Sequence, residues 1–303
     1  MTTHQEILDF YLQPATMTSG GRHASLLEAL PRDADVLAQI VQGLVIHESV
    51  ASSFYGVAIS DARRSEAHLR PVEGMIDRLL ALDDAPLSVA RPAERRLVGV
   101  CHHFVLFLVA MLRAKGIPAR ARCGFGAYFN PGTFEEHWVC EYWDDADGRW
   151  ALADPQFDEV WRTKLKIKHD ILDLPRDRFL VAGDAWVQGR TGKADPLKFG
   201  IFERARRGLW FIAGDLVRDV AALNNMEMLP WDVWGAIPSP DAPLDEEALA
   251  FFDQLALLTQ APDASFDELR RLYEEEDGVR VPATVFNALL NRPEEIRVEG
   301  RIE

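Results

Sequence analysis

Apolar positions recur first at helical spacing. In "ADVLAQIVQGLVIHE" (34–48) and "VEGMIDRLLAL" (72–82) they return every three or four residues, which predicts two amphipathic helices. "DDAPLSVARPAERRL" then gathers prolines and charges and reads as a connector. "CHHFVLFLVAMLRAK" (101–115) predicts a strongly apolar helix that stops at "GIP". Gly116 is placed to cap it and Pro118 cannot continue it. The period then changes to two. "ARARCGFGAYF", "HWVCEYWD" and "RWALADPQF" predict three strands, with the turn residues of "DADG" between the last two. The alternation of "VWRTKLKIKHD" predicts a fourth. From about residue 200 helical spacing returns in "IFERARRGLWFIAGDLVRDVAAL", "LDEEALAFFDQLALLTQ" and "SFDELRRLYEEE". Ser265 precedes Glu268 at the spacing of a capping box. The pattern predicts a helical segment over 1–90, a helix-plus-sheet core over 91–195 and a helical extension over 196–303.

With 303 residues, 48% of them apolar, the chain can bury a sizeable core. A net charge of −15 argues against general binding to nucleic acid or to an anionic membrane, since both attract basic surfaces. The opening "MTTHQEILDFYLQP" lacks the basic start and apolar stretch of a secretory signal. No run of about 18 apolar residues predicts a membrane span. Three cysteines, Cys101, Cys123 and Cys140, fit reduced thiols in a cytoplasm.

In "GVCHHFVLF" Cys101 opens a helix, where unpaired amides and the helix dipole favour a thiolate. Gly99 permits a tight approach to that helix and access by a substrate. The alternative is a buried thiol packing as a small hydrophobe. His102 and His103 are one and two residues further on and do not face Cys101 on a helix, so they read as surface or packing histidines. His137 is the better base. If "DADG" is a four-residue loop, Asp144 pairs with Arg149, Val139 lies opposite Asp154, and His137 lies opposite Gln156. His137, Val139, Glu141 and Trp143 then share a face with Trp150, Leu152, Asp154 and Gln156, and His137 and Asp154 become diagonal neighbours. A slip of one residue would separate them. A cysteine, a histidine and an orienting aspartate are the parts of thiol acyl transfer.

"GVCHHFVLFLVAMLRAKGIPARARCGF", "HWVCEYWD" and "RWALADPQFD" together resemble the transglutaminase-like superfamily of cysteine enzymes over residues 99–158. The shared features are Gly-x-Cys entering a helix, Leu-Arg-x-x-Gly-Ile-Pro-Ala-Arg at its end, a His-Trp strand and an Asp-Pro strand end. The resemblance implies a papain-like α+β fold with the nucleophile helix on an antiparallel sheet. It implies Cys101 as nucleophile, His137 as base and Asp154 as orienting acid. It also implies an oxyanion hole made of the cysteine's own amide and an upstream donor, for which Tyr55 is a candidate. Gln156 is a second candidate for oxyanion or substrate contact. Family members include crosslinkers, proteases, amidases, deglycosylases and amide synthases. The deglycosylases' paired Cys-x-x-Cys motifs and an EF-hand-like calcium loop are both missing from this sequence. The expected activity is hydrolysis or transfer of an amide acyl group in a peptide, protein or small-molecule substrate, with no cofactor and no metal. A noncatalytic interaction module and an amide synthase using thioesters are the rivals.

A zinc site of Cys101, His137 and Cys140 is disfavoured, because His137 and Cys140 are three apart on a predicted strand and face opposite ways. Arg162, Lys164, Lys166 and Lys168 would line one strand face, read as a lysine-protected edge. Arg204, Arg206 and Arg207 read as a solvated helix face. "NNMEMLPWDVWGAI" (224–237) reads as a Trp-rich loop that packs between helices.

Overall fold

The computed structural model describes residues 2–296. Six helices come first: α1 (His4–Leu12), α2 (Ala24–Glu28), α3 (Ala34–Leu44), α4 (Ala51–Tyr55), α5 (Asp61–Arg64) and α6 (Val72–Leu82). Strands β1 (Val45–His47) and β2 (Leu97–Gly99) lie within and after them. Then follow α7 (Cys101–Ala114), β3 (Ala119–Gly126), β4 (Phe134–Asp144), β5 (Arg149–Ala153) and α8 (Glu159–Leu165). The remainder runs β6 (Phe179–Val181), α9 (Ala182–Arg190), β7 (Phe199–Ile201), β8 (Arg206–Arg207), α10 (Leu209–Leu223) and β9 (Asp232–Val233). It ends with α11 (Glu246–Gln260), α12 (Phe266–Glu275), β10 (Thr284–Asn287) and β11 (Arg292–Glu295). The fold is α+β. Its contacts divide the chain into two units built from interleaved segments. One holds Leu8–Ala121 and Trp138–Pro175; the other holds Met1–Ile7, Arg122–His137 and Arg176–Glu303.

In the first unit α7 is buried from Cys101 to Arg113. A helix apolar all round must be covered on every side, and α2, α3, α6, β1 and β2 all pack on α7. Its end is a Schellman turn: Gly116 has φ 74°, the Gly116 N–H donates to the Arg113 carbonyl and the Ile117 N–H to the Leu112 carbonyl, both at 3.0 Å. Arg113 Nε then donates to the Ala119 carbonyl at 2.8 Å, tying the helix end to the start of β3. The α3 helix starts where Asp33 Oδ1 accepts the Asp35 and Val36 N–H groups. It stops at Leu44, short of the expected 48, because Val45–His47 go extended to pair in parallel with Leu97–Gly99. The β4–β5 ladder runs from Asp144↔Arg149 to Cys140↔Ala153, the register read from the four-residue loop.

"VWRTKLKIKHD" does not form a strand. Asp158 Oδ1 accepts the Trp161 N–H at 3.1 Å and starts α8. The buried Trp161 ring packs edge-on against Phe54 and His47, and Lys166 closes the helix in the left-handed region at φ 56°. The basic residues therefore line no strand face.

The strands of the largest sheet among the described residues follow the order β6-β3-β4-β7-β8, with β5 paired to β4. Gly124 is required where β6 pairs antiparallel with β3, since a Cβ there would lie 2.2 Å from the Leu180 carbonyl oxygen. Asp219 of α10 forms a buried pair with Arg122 at 2.9 Å and accepts the Cys123 N–H. The helix expected from 201 begins only at Leu209. Before it come β7, a 3-10 turn, β8 and Gly208 at φ 111°, a conformation closed to other residues. Arg204, Arg206 and Arg207 thus belong to a turn and strand, not to a helix face. Ser265 stands at the start of α12 without a side-chain capping bond. In 224–237 Met226, Met228, Leu229, Trp231 and Trp234 are buried, so that loop packs as expected.

Candidate functional site

Cys101 is the first residue of α7, after an extended Val100, and its side chain is buried. No acidic residue lies in the first turn. Gly99 has a different purpose from the one its position suggests. A Cβ there would lie 2.8 Å from the His103 ring, so the glycine makes room for an imidazole. His103 Nδ1 accepts the Val100 N–H at 3.2 Å, closing the helix start from within. Burial pushes its pKa down to about 3, against the opposing backbone hydrogen bonds of Leu69 and Val100, so it is neutral. The His102 ring stands edge-on to Trp138 at 5.0 Å. Both histidines are wholly buried, which removes the surface reading and leaves the packing one.

Asp154 follows β5 and is wholly buried. Its N–H donates to the Ile171 carbonyl at 2.7 Å, and its Oδ1 accepts the Gln156 N–H at 3.1 Å. This short turn fixes the carboxylate and carries Gln156 with it. Gln156 is 2% exposed and its Oε1 has no hydrogen-bond partner. Tyr55 packs against Ile46, Val57 and Val98. Its hydroxyl donates to Asp158 Oδ2 at 2.8 Å; burial and this bond push its pKa upward. Asp158, which the sequence reading passed over, thus both starts α8 and holds Tyr55. An aspartate directly before a helix is the signal that could have found it.

His137 belongs to the second unit and is its last residue on β4. It is 2% exposed, with Phe129, Tyr128 and Phe179 around the imidazole at ring distances of 4.9, 6.0 and 6.5 Å. Among the described residues, Cys123, Glu136 and Asp215 could bring ligand atoms to one ion, all within 4.8 Å of one another. Arg218 Nη1 already donates to Asp215 Oδ1 at 3.1 Å. Burial pushes both the Cys123 thiol and the Asp215 carboxyl up, toward their uncharged forms. The sequence reading missed this set because its members come from three separate segments.

Residues 81–155 match the family model of the transglutaminase-like superfamily, a span that includes Cys101, His137 and Asp154. No curated protein matches the chain. Among solved structures, a candidate cysteine protease from Cytophaga hutchinsonii is similar at 16% identity and a TM-score of 0.34, over 59% of this chain and 46% of that one. The match thus spans less than half of that protein's length.

Proposed function

With a transglutaminase-like core at residues 81–155, we propose that this protein is a thiol hydrolase of amides, working through an acyl-enzyme on Cys101. The observation that carries the reading is the position of Cys101 as the first residue of α7 inside the matched span. First-turn amides of a helix have no intrahelical partners and bias a thiol there toward thiolate. In the proposed cycle the Cys101 thiolate attacks the substrate carbonyl. The His137 imidazolium then protonates the leaving amine, and the C–N bond breaks. Water, deprotonated by His137, attacks the thioester and releases the acid and the free thiol. The backbone N–H of Cys101 stabilises the oxyanion. Asp154 holds the imidazole. That role requires Asp144 opposite Arg149, and the ladder has this register. Tyr55 can serve as the second oxyanion donor only by giving up its bond to Asp158. Gln156 is the other candidate, and substrate would meet its amide beside Asp154.

The first test is the alkylation rate of each cysteine by iodoacetamide against pH, read by mass spectrometry. Cys123 and Cys140 are internal controls, since both are unexposed and burial raises both thiols. Cys101 is expected to react well below the pH at which an ordinary thiol does, about 8.5, and His137→Ala should slow it. Cys101→Ala should lower turnover of an amide substrate by at least about a thousandfold with the fold intact. A Cys101 no faster than the controls, or a Cys101→Ala protein that retains activity, would remove the assignment. Adding a fluorescent primary amine separates hydrolysis, which leaves it free, from acyl transfer, which captures it.

A further inference from the structure

Away from α7, the second unit carries a cavity of about 320 Å³ along one face of α10. That volume lies in the range of small-ligand pockets. Trp210, Gly214 and Arg218 come from this face at helical spacing, and Trp231 and Ile237 come from the segment after the helix. A Cβ on Gly214 would lie 3.1 Å from Arg218 Nη1 and 3.4 Å from Ile237, so glycine keeps the space open.

The charged side chains of this lining share one sign. Arg218 is 6% exposed. Its two terminal nitrogens donate to Asp215 Oδ1 and to the Asp232 carbonyl, each at 3.1 Å. Its Nε, also a donor, has no hydrogen-bond partner. The Trp210 indole N–H is likewise buried without one. A buried donor left unmade costs about 1–3 kcal/mol, and both donors belong to residues that line this cavity, Trp210 lining a neighbouring one with Leu197 and Gly208 as well. Arg204 and Arg206 also line the cavity, and no aspartate or glutamate does. In a chain of net charge −15 this local reversal is pronounced.

We propose that this cavity binds a small organic monoanion: an aromatic or branched apolar body carrying one carboxylate or sulfonate. The acid group takes the free Arg218 and Trp210 donors with Arg206 beside it, and the body lies between the tryptophans. Arginine suits this by its planar fork and weak hydration.

The test uses 8-anilinonaphthalene-1-sulfonate as probe and uncharged N-phenyl-1-naphthylamine as its neutral counterpart, followed by fluorescence on the full chain. The expected result is one site per chain, with the sulfonate bound at least about tenfold more tightly than the neutral ring system, as a charge-assisted contact implies. Arg206→Gln should weaken the sulfonate about tenfold without changing the thermal melt, because Arg206 has no place in the buried core. Arg218→Gln should weaken it further. Should Arg218→Gln fail to fold, Arg206→Gln decides alone. Failure to bind at millimolar probe, equal binding of the neutral compound, or an unchanged affinity in Arg206→Gln would overturn the proposal.

Discussion

His103 sits in the wall of the first unit as a neutral, wholly buried imidazole. Its folded pKa, about 3, lies below the ordinary histidine value of about 6.5. Between those two pH values the unfolded chain binds the extra proton. The stability this residue contributes is therefore complete above about pH 6.5 and is lost as pH falls toward 3, at no more than about 1.4 kcal/mol per pH unit. Urea melts at pH 7, 5.5 and 4.5 should give a shallower pH dependence for His103→Asn than for wild type. Parallel slopes would mean that His103 is not buried neutral. The same residue explains Gly99, whose missing side chain is space for the ring and not an approach for substrate.

At the scale of elements, local signals held where the chain satisfies its own polar groups. The α7 helix ends at a glycine because the last carbonyls need a left-handed residue to turn donors back on them. Replacing Gly116 (φ 74°) by alanine should cost about 1 kcal/mol, from the strain of a Cβ in that conformation. The urea midpoint should fall with the slope unchanged, and no change would refute the strained turn. No atom lies within 4 Å of a Cβ at that position, so packing adds nothing to the loss. Alternation misled at "VWRTKLKIKHD", where aliphatic and lysine residues happen to alternate. The helix there is decided by the Asp158 cap and by the aromatic bed under Trp161.

For the whole molecule, the interleaving of the two units has a consequence for fragments. Arg122 is contributed from the middle of the sequence and Asp219 from beyond residue 196. A chain cut to residues 1–195 leaves the Arg122 guanidinium without its buried carboxylate, and β3 and α9 without α10. An uncompensated buried charge costs about 3–5 kcal/mol, and the lost apolar cover adds to it. Fragment 1–195 should accordingly be aggregated or lack cooperative melting by circular dichroism. A soluble, cooperatively melting fragment would show that the core over 91–195 stands alone.

The sequence by itself determined α6, α7 and its glycine stop, the three strands β3 to β5 and the register of the last pair. Each follows from periodicity and turn residues within a few positions of one another. Cys101, His137 and Asp154 could be singled out because they stand in such elements or directly at the end of one, and all three fall within the span 81–155 that the family model matches. Tertiary structure alone decided what fills the space between elements. It placed His103 against Gly99, committed Tyr55 to Asp158, broke the expected helix at Gly208 and paired Arg122 with Asp219. It also assembled Cys123, Glu136 and Asp215, and the arginine-lined cavity on α10. The physical reason is sequence distance. Hydrogen bonds and close contacts between residues tens of positions apart leave no periodic trace in the chain, and they exist only once burial has brought their partners together.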